Sequence, residues 1–338
     1  MSLHECHELT QETITVNDPT VLKTITDEFQ LLKYLGSGQS GHVYLMARTP
    51  EEQMAMKVMP CSSSSEQEIR TSCLLNSIRS ETGIFAYTYG WLSCANFPSH
   101  LLPYIIEGKA PKPNTDHIFM FSEYVPFAWN DPSFRYTDTD FRIMVFLLLH
   151  GIYIGRRELE FFHHDIHEGN IMLRNIFHTE VVKVKTIDVE FEISGARFVP
   201  KLYAKPESTN NKNRFKVSDL QLLAEEFFRV MVAQKNLDAR RAFLKFKNGM
   251  QFEEACKESA SNYQVVNQLL NHEYFNIPEI KRLDREPEGK KLKFVERCIM
   301  CTTPAKMIYQ GTDLTFCGKR CAAKSQRIAS LLLQRNKP

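Results

Sequence analysis

Asp165 and Asn170 could take part in catalysis, because they stand five residues apart in a polar stretch after a long apolar segment. A carboxylate in such a loop can orient or deprotonate an attacking hydroxyl, and an amide oxygen is a neutral ligand for Mg²⁺. A second hard ligand is expected from a nearby strand end, and Asp188 follows the apolar run at 181–187. Taken singly, each residue also fits a cap or an ordinary loop position. Taken in order, they predict a Mg²⁺-dependent phosphoryl-transfer site.

A glycine-rich turn near the N-terminus is a second feature suited to phosphate. The pattern G-x-G-x-x-G-x-V is matched in full by Gly36, Gly38, Gly41 and Val43. Glycines let backbone amides approach phosphate oxygens without an intervening side chain. A dinucleotide fingerprint would lead into a helix, whereas residues 43–47 continue as a strand. Lys57 then stands in the apolar run at 54–58, where it either snorkels at a sheet edge or faces a phosphate.

Local patterns predict the elements that must position these residues. Apolar alternation predicts a strand, a tight turn and a second strand over 29–58, and a Ser-rich loop at 61–68 runs into a helix. A buried strand is expected at 117–125. Thr139 to Phe162 is the longest helical segment, preceded by the capping-type residues Asp138 and Thr139, and a strongly apolar helix is expected at 218–234.

The ordered set of glycine loop, Lys57, Asp165, Asn170 and Asp188 resembles the protein-kinase-like superfamily over roughly residues 25–285. The resemblance implies an α+β, bilobal fold with a five-stranded N-terminal lobe, a helical C-terminal lobe and ATP in the cleft between them. The implied domains are an arm at 1–25, an N-lobe at 26–125 with a hinge near 123–125, a C-lobe at 126–285, a linker at 286–297, and a zinc finger with a terminal helix at 298–338.

The resemblance also implies a role for each matched residue. Lys57 would hold the α and β phosphates, and Asp165 would position the acceptor hydroxyl. Asn170 and Asp188 would bind Mg²⁺. The implied nucleotide-binding set, with Ser122 as gatekeeper, is Gly36, Gly38, Gly41, Val43, Lys57, Glu68, Glu123 and Val125.

The partner of Lys57 has two candidates in the sequence. Glu68 is the expected ion-pair partner, with Glu66 second. Either glutamate also fits a capping box, because Ser65 precedes Glu68 and Ser63 precedes Glu66 by three residues.

Several departures from the family pattern bear on the substrate. His164 replaces the usual arginine of the catalytic loop, and His167 replaces the usual lysine, as in haspin and in aminoglycoside and choline kinases. The sequence Asp188–Glu190 replaces D-F-G and resembles the small-molecule branch. Pro206–Glu207 and its spacing to Asp219, which resembles the helix-F aspartate, favour a protein kinase instead. The expected function is that of an atypical serine/threonine protein kinase, similar to those of large DNA viruses. The alternatives are a small-molecule kinase of the aminoglycoside or choline type, and a pseudokinase scaffold.

Four of the nine cysteines form the pattern C-x2-C…C-x3-C near the C-terminus, namely Cys298, Cys301, Cys317 and Cys321. Four thiolates at these spacings favour a tetrahedral Zn²⁺ site that leaves no open position for catalysis. The stretch between the pairs could form a small hairpin, and its end resembles FCS/MYM-type zinc fingers. The pseudokinase alternative would act through this module. The other five cysteines are scattered and are expected to be free thiols.

Composition and the distribution of charge indicate the class of protein, its partners and its location. With 43% hydrophobic and 24% charged residues, the chain is not a disordered or fibrous protein. Residues 281–338 carry 14 Lys/Arg and 5 Asp/Glu, so a basic end follows an acidic body and could bind nucleic acid or an acidic partner. No secretory signal or membrane span is recognised. A soluble cytoplasmic or nuclear protein is expected, with packaging in a virion if the source is viral, and with a protein substrate or a small-molecule acceptor as its partner.

Overall fold

The structure is a computed structural model of the chain, and it describes residues 27–38, 40–94, 115–176, 181–186, 189–203, 218–257, 263–283, 307–308 and 315–316. Its helices and antiparallel sheets make the fold α+β, as the sequence predicts. The described residues divide into two compact units. The first lies within 27–77 and 86–124, and the second within 78–85 and 125–283.

The first unit contains a five-stranded antiparallel sheet with the order β1-β2-β3-β5-β4. Its strands are β1 (Gln30–Gly38), β2 (Gly41–Thr49), β3 (Glu52–Pro60), β4 (Thr88–Cys94) and β5 (His117–Glu123). Every residue of β5 is buried, since this largely apolar strand has a neighbouring strand on each side. The predicted strand, turn and strand at 29–58 and the predicted buried strand at 117–125 are confirmed.

Helix α1 (Ser63–Leu75) follows β3 and begins where the Ser-rich loop predicts a helix start. Its N-cap is Ser62, whose Oγ accepts a hydrogen bond from the backbone N–H of Ser65 at 3.2 Å. The residue that satisfies the first free N–H groups of the helix is therefore Ser62. Neither Ser63 nor Ser65 is the N-cap, so the two capping boxes considered from the sequence are wrong.

Cys73 lies on the buried face of α1, in a cluster with Met59, Ile69, Ile118 and Met120. It is disulfide-bonded, whereas Cys61 and Cys256 are free. The expectation that all five scattered cysteines are free thiols is therefore wrong at this position. Sequence spacing does not reveal it, because a disulfide depends on which cysteines the fold brings together in space.

The second unit is organised around helix α3 (Asp138–Leu159), which follows a short helix α2 (Arg79–Thr82). Residues are buried on all sides of α3 over most of its length, so it forms the centre of the unit. Its N-cap is Thr137, which forms a capping box with Asp140, one position earlier than the predicted Asp138 and Thr139. The helix ends before the predicted Phe162, because Glu160 adopts a left-handed conformation.

The remaining helices of this unit are short and lie C-terminal to α3. They are α4 (Asp219–Ala233), α5 (Leu237–Lys247), α6 (Met250–Lys257) and α7 (Tyr263–Leu270), followed by a 3₁₀ turn at Glu273–Phe275. A second 3₁₀ turn, Asn76–Ile78, lies where the first unit gives way to the second along the chain. Helix α4 confirms the helix predicted at 218–234 and is capped by Ser218, whose Oγ accepts from the N–H of Gln221 at 3.2 Å. No helix in the described parts of the chain is both long and apolar enough to cross a bilayer.

Two three-stranded antiparallel sheets complete the second unit, with the orders β10-β7-β6 and β11-β9-β8. The strands are β6 (Phe127–Ala128), β7 (Ile171–Asn175), β8 (Val182–Lys185), β9 (Glu190–Ile193), β10 (Phe198–Leu202) and β11 (Ile280–Leu283). Short apolar runs at 171–173 and 181–187 predict two strands, and β7 and β8 lie there, whereas the sequence does not predict β9, β10 and β11. Separately, β12 (Met307–Ile308) pairs with β13 (Thr315–Phe316) inside the stretch where a hairpin is expected.

Candidate functional site

Lys57 in the first unit makes two side-chain contacts. Its Nζ forms a hydrogen bond and ion pair with Oε1 of Glu68, which is almost fully buried on α1. It also donates a hydrogen bond to Oγ of Ser40 at 2.7 Å. Of the two glutamates considered from the sequence, the structure brings Glu68 to Lys57, whereas Glu66 lies in the first turn of α1. The ammonium group is thus fixed in direction by a carboxylate on one side and a hydroxyl of the glycine turn on the other.

The three glycines of the turn have different surroundings. A Cβ on Gly41 would lie 2.1 Å from the backbone oxygen of Val58, so this glycine is required where β2 passes β3 closely. A Cβ on Gly36 or on Gly38 would meet no atom within 4 Å. The space beside these two glycines is therefore open to a ligand, as backbone binding of phosphate requires. Val43 pairs in register with Lys57, so the turn and the lysine are adjacent in the sheet.

The predicted hinge residue Glu123 ends β5 with its side chain engaged. Its Oε2 accepts a hydrogen bond from the backbone N–H of Tyr87 at 3.1 Å, and its own N–H donates to the carbonyl of Tyr87 at 2.7 Å. Tyr87 therefore engages both the side chain and the backbone N–H of Glu123. Val125 is buried and belongs to the second unit.

Asp165 and Asn170 are in direct contact in the second unit. Nδ2 of Asn170 donates to the backbone oxygen of Asp165 at 2.6 Å and lies 3.2 Å from its Oδ2. Asn170 is buried, whereas the side chain of Asp165 is about one-third exposed. With Nδ2 held by Asp165, Oδ1 is the atom of the Asn170 side chain that could bind a cation. The donor set is one carboxylate and one amide oxygen, which suits a hard cation such as Mg²⁺.

Asp219, at the start of α4, holds the loop that carries Asp165. Its Oδ2 accepts from the N–H of His163 at 3.0 Å, and its Oδ1 accepts from the N–H of His164 at 2.7 Å. His164 has φ of 58°, a left-handed conformation that such bonds help to maintain. Nη2 of Arg156 lies 3.9 Å from Oδ2 of Asp219. Burial lowers the pKa of the Arg156 guanidinium, and the Asp219 carboxylate opposes that shift.

His167 lies beside Asp165. Its Nδ1 accepts a hydrogen bond from the N–H of Gly169 at 3.0 Å, so a neutral imidazole carries its proton on Nε2. That Nε2 is 3.4 Å from Oδ2 of Asp165. The imidazole therefore presents an N–H to the carboxylate of Asp165.

The remaining predicted site residues lie outside the described residues. They are Asp188, the four cysteines Cys298, Cys301, Cys317 and Cys321, and the pair Pro206–Glu207. Of the residues next to Asp188 in the sequence, Thr186 donates its N–H to the carbonyl of Val189 at 2.8 Å. Within the described ranges, no group of three or more His, Cys, Asp or Glu side chains is arranged to hold a metal ion.

Two residues that take part in these networks were not predicted. Ser40 lies inside the glycine motif, so its position next to Lys57 could have been considered from the sequence. Arg156 is a buried residue in the last turn of α3, and its type and position alone do not indicate a partner. No protein-family model matches the chain, and no curated protein matches it significantly.

Proposed function

We propose that the chain is an ATP- and Mg²⁺-dependent phosphotransferase, and more specifically a serine/threonine protein kinase. The observation that carries this proposal is the contact of Lys57 with the buried Glu68 beside an open glycine turn. Lys57 lies on the central strand β3 and not at a sheet edge, and a lysine that only packed against the sheet would need no buried carboxylate to fix its direction. A lysine that binds phosphate needs such a carboxylate, because its charge must be directed at the nucleotide.

The second unit supports the same proposal with an independent set of residues. Asp165 would orient the acceptor hydroxyl and take its proton, while His167 and Asn170 keep the carboxylate in place. Asn170 and Asp188 would hold Mg²⁺, which when bound neutralises charge on the transferring phosphoryl group. Asp219 would maintain the loop through two backbone hydrogen bonds. The proposal includes a bilobal kinase-like fold, in which each of the two units is one lobe.

Measurement of ATP binding distinguishes the proposed phosphotransferase from a scaffold without enzymatic activity. In calorimetric titrations, wild type is expected to bind ATP, and more tightly with Mg²⁺ than in EDTA. Lys57→Met should weaken binding at least about 10-fold, because a hydrogen bond to a charged group contributes about 1.5–3 kcal/mol. Lys33→Met, which removes an exposed lysine from the same sheet, is the matched control. Absence of ATP binding by wild type would exclude the proposed function.

Ser40→Ala is expected to increase the affinity for ATP, because the hydroxyl occupies a donor direction of Lys57 that a phosphate would otherwise use. A partly exposed bond of this kind should change the dissociation constant by about 2- to 10-fold. Ser37→Ala, an exposed serine in the same turn, should leave it unchanged. Weaker binding by Ser40→Ala would instead indicate that Ser40 itself contacts the nucleotide.

We also propose that Cys298, Cys301, Cys317 and Cys321 bind one structural Zn²⁺, because their spacing supports a four-thiolate site. Metal analysis of protein purified without added metal should find about one zinc per chain. A variant with Cys298→Ser and Cys317→Ser should lose it, whereas Cys61→Ser should not. Zinc-free wild-type protein with four additional reactive thiols would contradict this assignment.

A further inference from the structure

The five-stranded sheet of the first unit has two faces, and both carry buried apolar side chains. Residues that pair across antiparallel strands, and residues two apart along a strand, lie on the same face. By this rule Lys57 and Met59 lie on one face. The opposite face, called the outer face below, carries six large side chains with no more than 1% of their surface exposed, namely Tyr44, Met46, Met54, Met56, Phe119 and Phe121.

Helix α1 covers the other face of the sheet, not the outer face. Its residues Ile69 and Cys73 form a cluster with Met59, Ile118 and Met120, which all lie on the face that carries Lys57. Within the described ranges of the first unit, α1 is the only helix longer than one turn. A sheet whose two faces are both apolar and buried needs a layer on each side. Another part of the chain must therefore cover the outer face.

The hairpin β12–β13 indicates which part of the chain this is. The chain from Val125 to Val295 belongs to the second unit, whereas the hairpin, within Glu296–Pro338, belongs to the first unit. Residues 1–26 and 95–114 are joined directly to strands of the first unit, so chain connection alone places them there. The hairpin has no such connection, because it follows the second unit along the chain. Its place in the first unit must come from noncovalent contact.

The composition of these three parts of the chain favours the same choice. Met307 pairs with Phe316 in the hairpin, and a short apolar hairpin is an element that packs face to face on a sheet. Residues 95–114 contain four prolines, which is typical of a loop, and residues 1–26 are mostly polar. The apolar hairpin is therefore the best match for an apolar face.

We infer that the outer face is the docking surface for the C-terminal cysteine segment, Glu296–Pro338, of the same chain. The segment forms a third layer of the first unit, on the side of the sheet opposite α1. Strands β2 and β3 carry docking residues on the outer face, and Val43 and Lys57 on the other. Docking therefore supports these strands and leaves the side of Lys57 open. The inference uses neither nucleotide nor Mg²⁺, so it does not depend on the proposed function.

Photo-cross-linking in the full-length protein tests which segment lies on the outer face. Tyr34 is half-buried at the edge of this face, with its ring centroid 5.4 Å from that of Tyr44. With p-benzoylphenylalanine in place of Tyr34, irradiation and peptide mapping should identify a cross-link to residues 296–338. The same probe in place of Lys33, an exposed residue on the other face of β1, is the matched control and should give no such cross-link. If the Tyr34 variant does not fold, a probe at half-buried His42 decides.

Methionine oxidation by hydrogen peroxide provides a second measurement, because it requires access to the thioether. The double variant Met307→Asp, Phe316→Asp should release the hairpin and oxidise Met56 at least about 10-fold faster than wild type, since an unpaired charge in an apolar contact strongly opposes docking. Met120, which packs with α1 on the other face, should be oxidised at an unchanged rate. Gln310→Asp, between the two strands of the hairpin, is the matched control and should behave as wild type.

Several results would overturn this inference. They are cross-links from the outer face to residues 1–26 or 95–114, cross-links to a second copy of the chain, whose yield rises with protein concentration, and no cross-link beyond the sheet itself. Equal oxidation of Met56 in wild type and in a folded double variant would also overturn it. If the double variant does not fold, the cross-link decides.

Discussion

Asp165→Asn is expected to reduce the rate of phosphoryl transfer by about 10²- to 10⁴-fold, the range that a positioned general base contributes. The carboxylate is partly exposed and faces His167 and Asn170, so it can reach an acceptor hydroxyl while its orientation is maintained. An amide of the same shape can neither accept the proton nor oppose the positive charge of the metal. Rates of transfer from labelled ATP, measured with saturating nucleotide, check this expectation.

The stability of Asp165→Asn should stay within about 0.5 kcal/mol of wild type, because the side chain is partly exposed and the substitution preserves its size. Asp238→Asn, at an exposed position in the first turn of α5, is the matched control and should retain full activity. If Asp165→Asn keeps more than a tenth of the wild-type rate, Asp165 is not the residue that positions the acceptor.

Asp219→Ala is expected to lower the free energy of unfolding of the second unit by about 3–5 kcal/mol, the cost of removing one partner from a buried charge pair. The carboxylate is buried and accepts the N–H groups of His163 and His164, which would then have no acceptor. Arg156, whose side chain is also buried, would lose the nearest opposite charge. Urea denaturation followed by circular dichroism measures the loss.

Two further variants separate the causes of that loss. Asp219→Asn keeps an oxygen acceptor but loses the charge, so it should destabilise by about 2 kcal/mol, less than the alanine variant. Glu225→Ala removes an exposed carboxylate from the same helix and should change stability by no more than about 0.5 kcal/mol. Equal unfolding midpoints for Asp219→Ala and Glu225→Ala would show that the loop does not depend on Asp219.

Features with a strong local signal could be predicted from the sequence. The apolar alternation around the glycine motif identifies β1, β2 and β3, and the long apolar run identifies α3, because periodicity reports burial directly. Spacing also brings Asp165 and Asn170 together, since five residues of loop cannot separate them far. Glu68 is preferred over Glu66 in the sequence prediction, and the structure brings Glu68 to Lys57.

Features that depend on distant parts of the chain could not be predicted. The short strands β9, β10 and β11 have four or five residues each, too few for a clear period, and they form because partners elsewhere in the second unit complete their hydrogen bonds. The bond from His150 to Lys185 and the disulfide of Cys73 have no signature in spacing. Arg156 and Asp219 come together from two helices, so neither residue alone indicates the pair.

The central claim is phosphoryl transfer, and the most direct measurement is transfer of label from γ-labelled ATP by the full-length protein. Generic protein substrates and a panel of small alcohols, including aminoglycosides and choline, would be offered as acceptors with and without Mg²⁺. We predict Mg²⁺-dependent labelling of a serine or threonine in protein, abolished by Lys57→Met. Labelling of a small alcohol alone would keep the phosphotransferase and change its substrate class. No Mg²⁺-dependent transfer from wild-type protein to any acceptor would contradict the account.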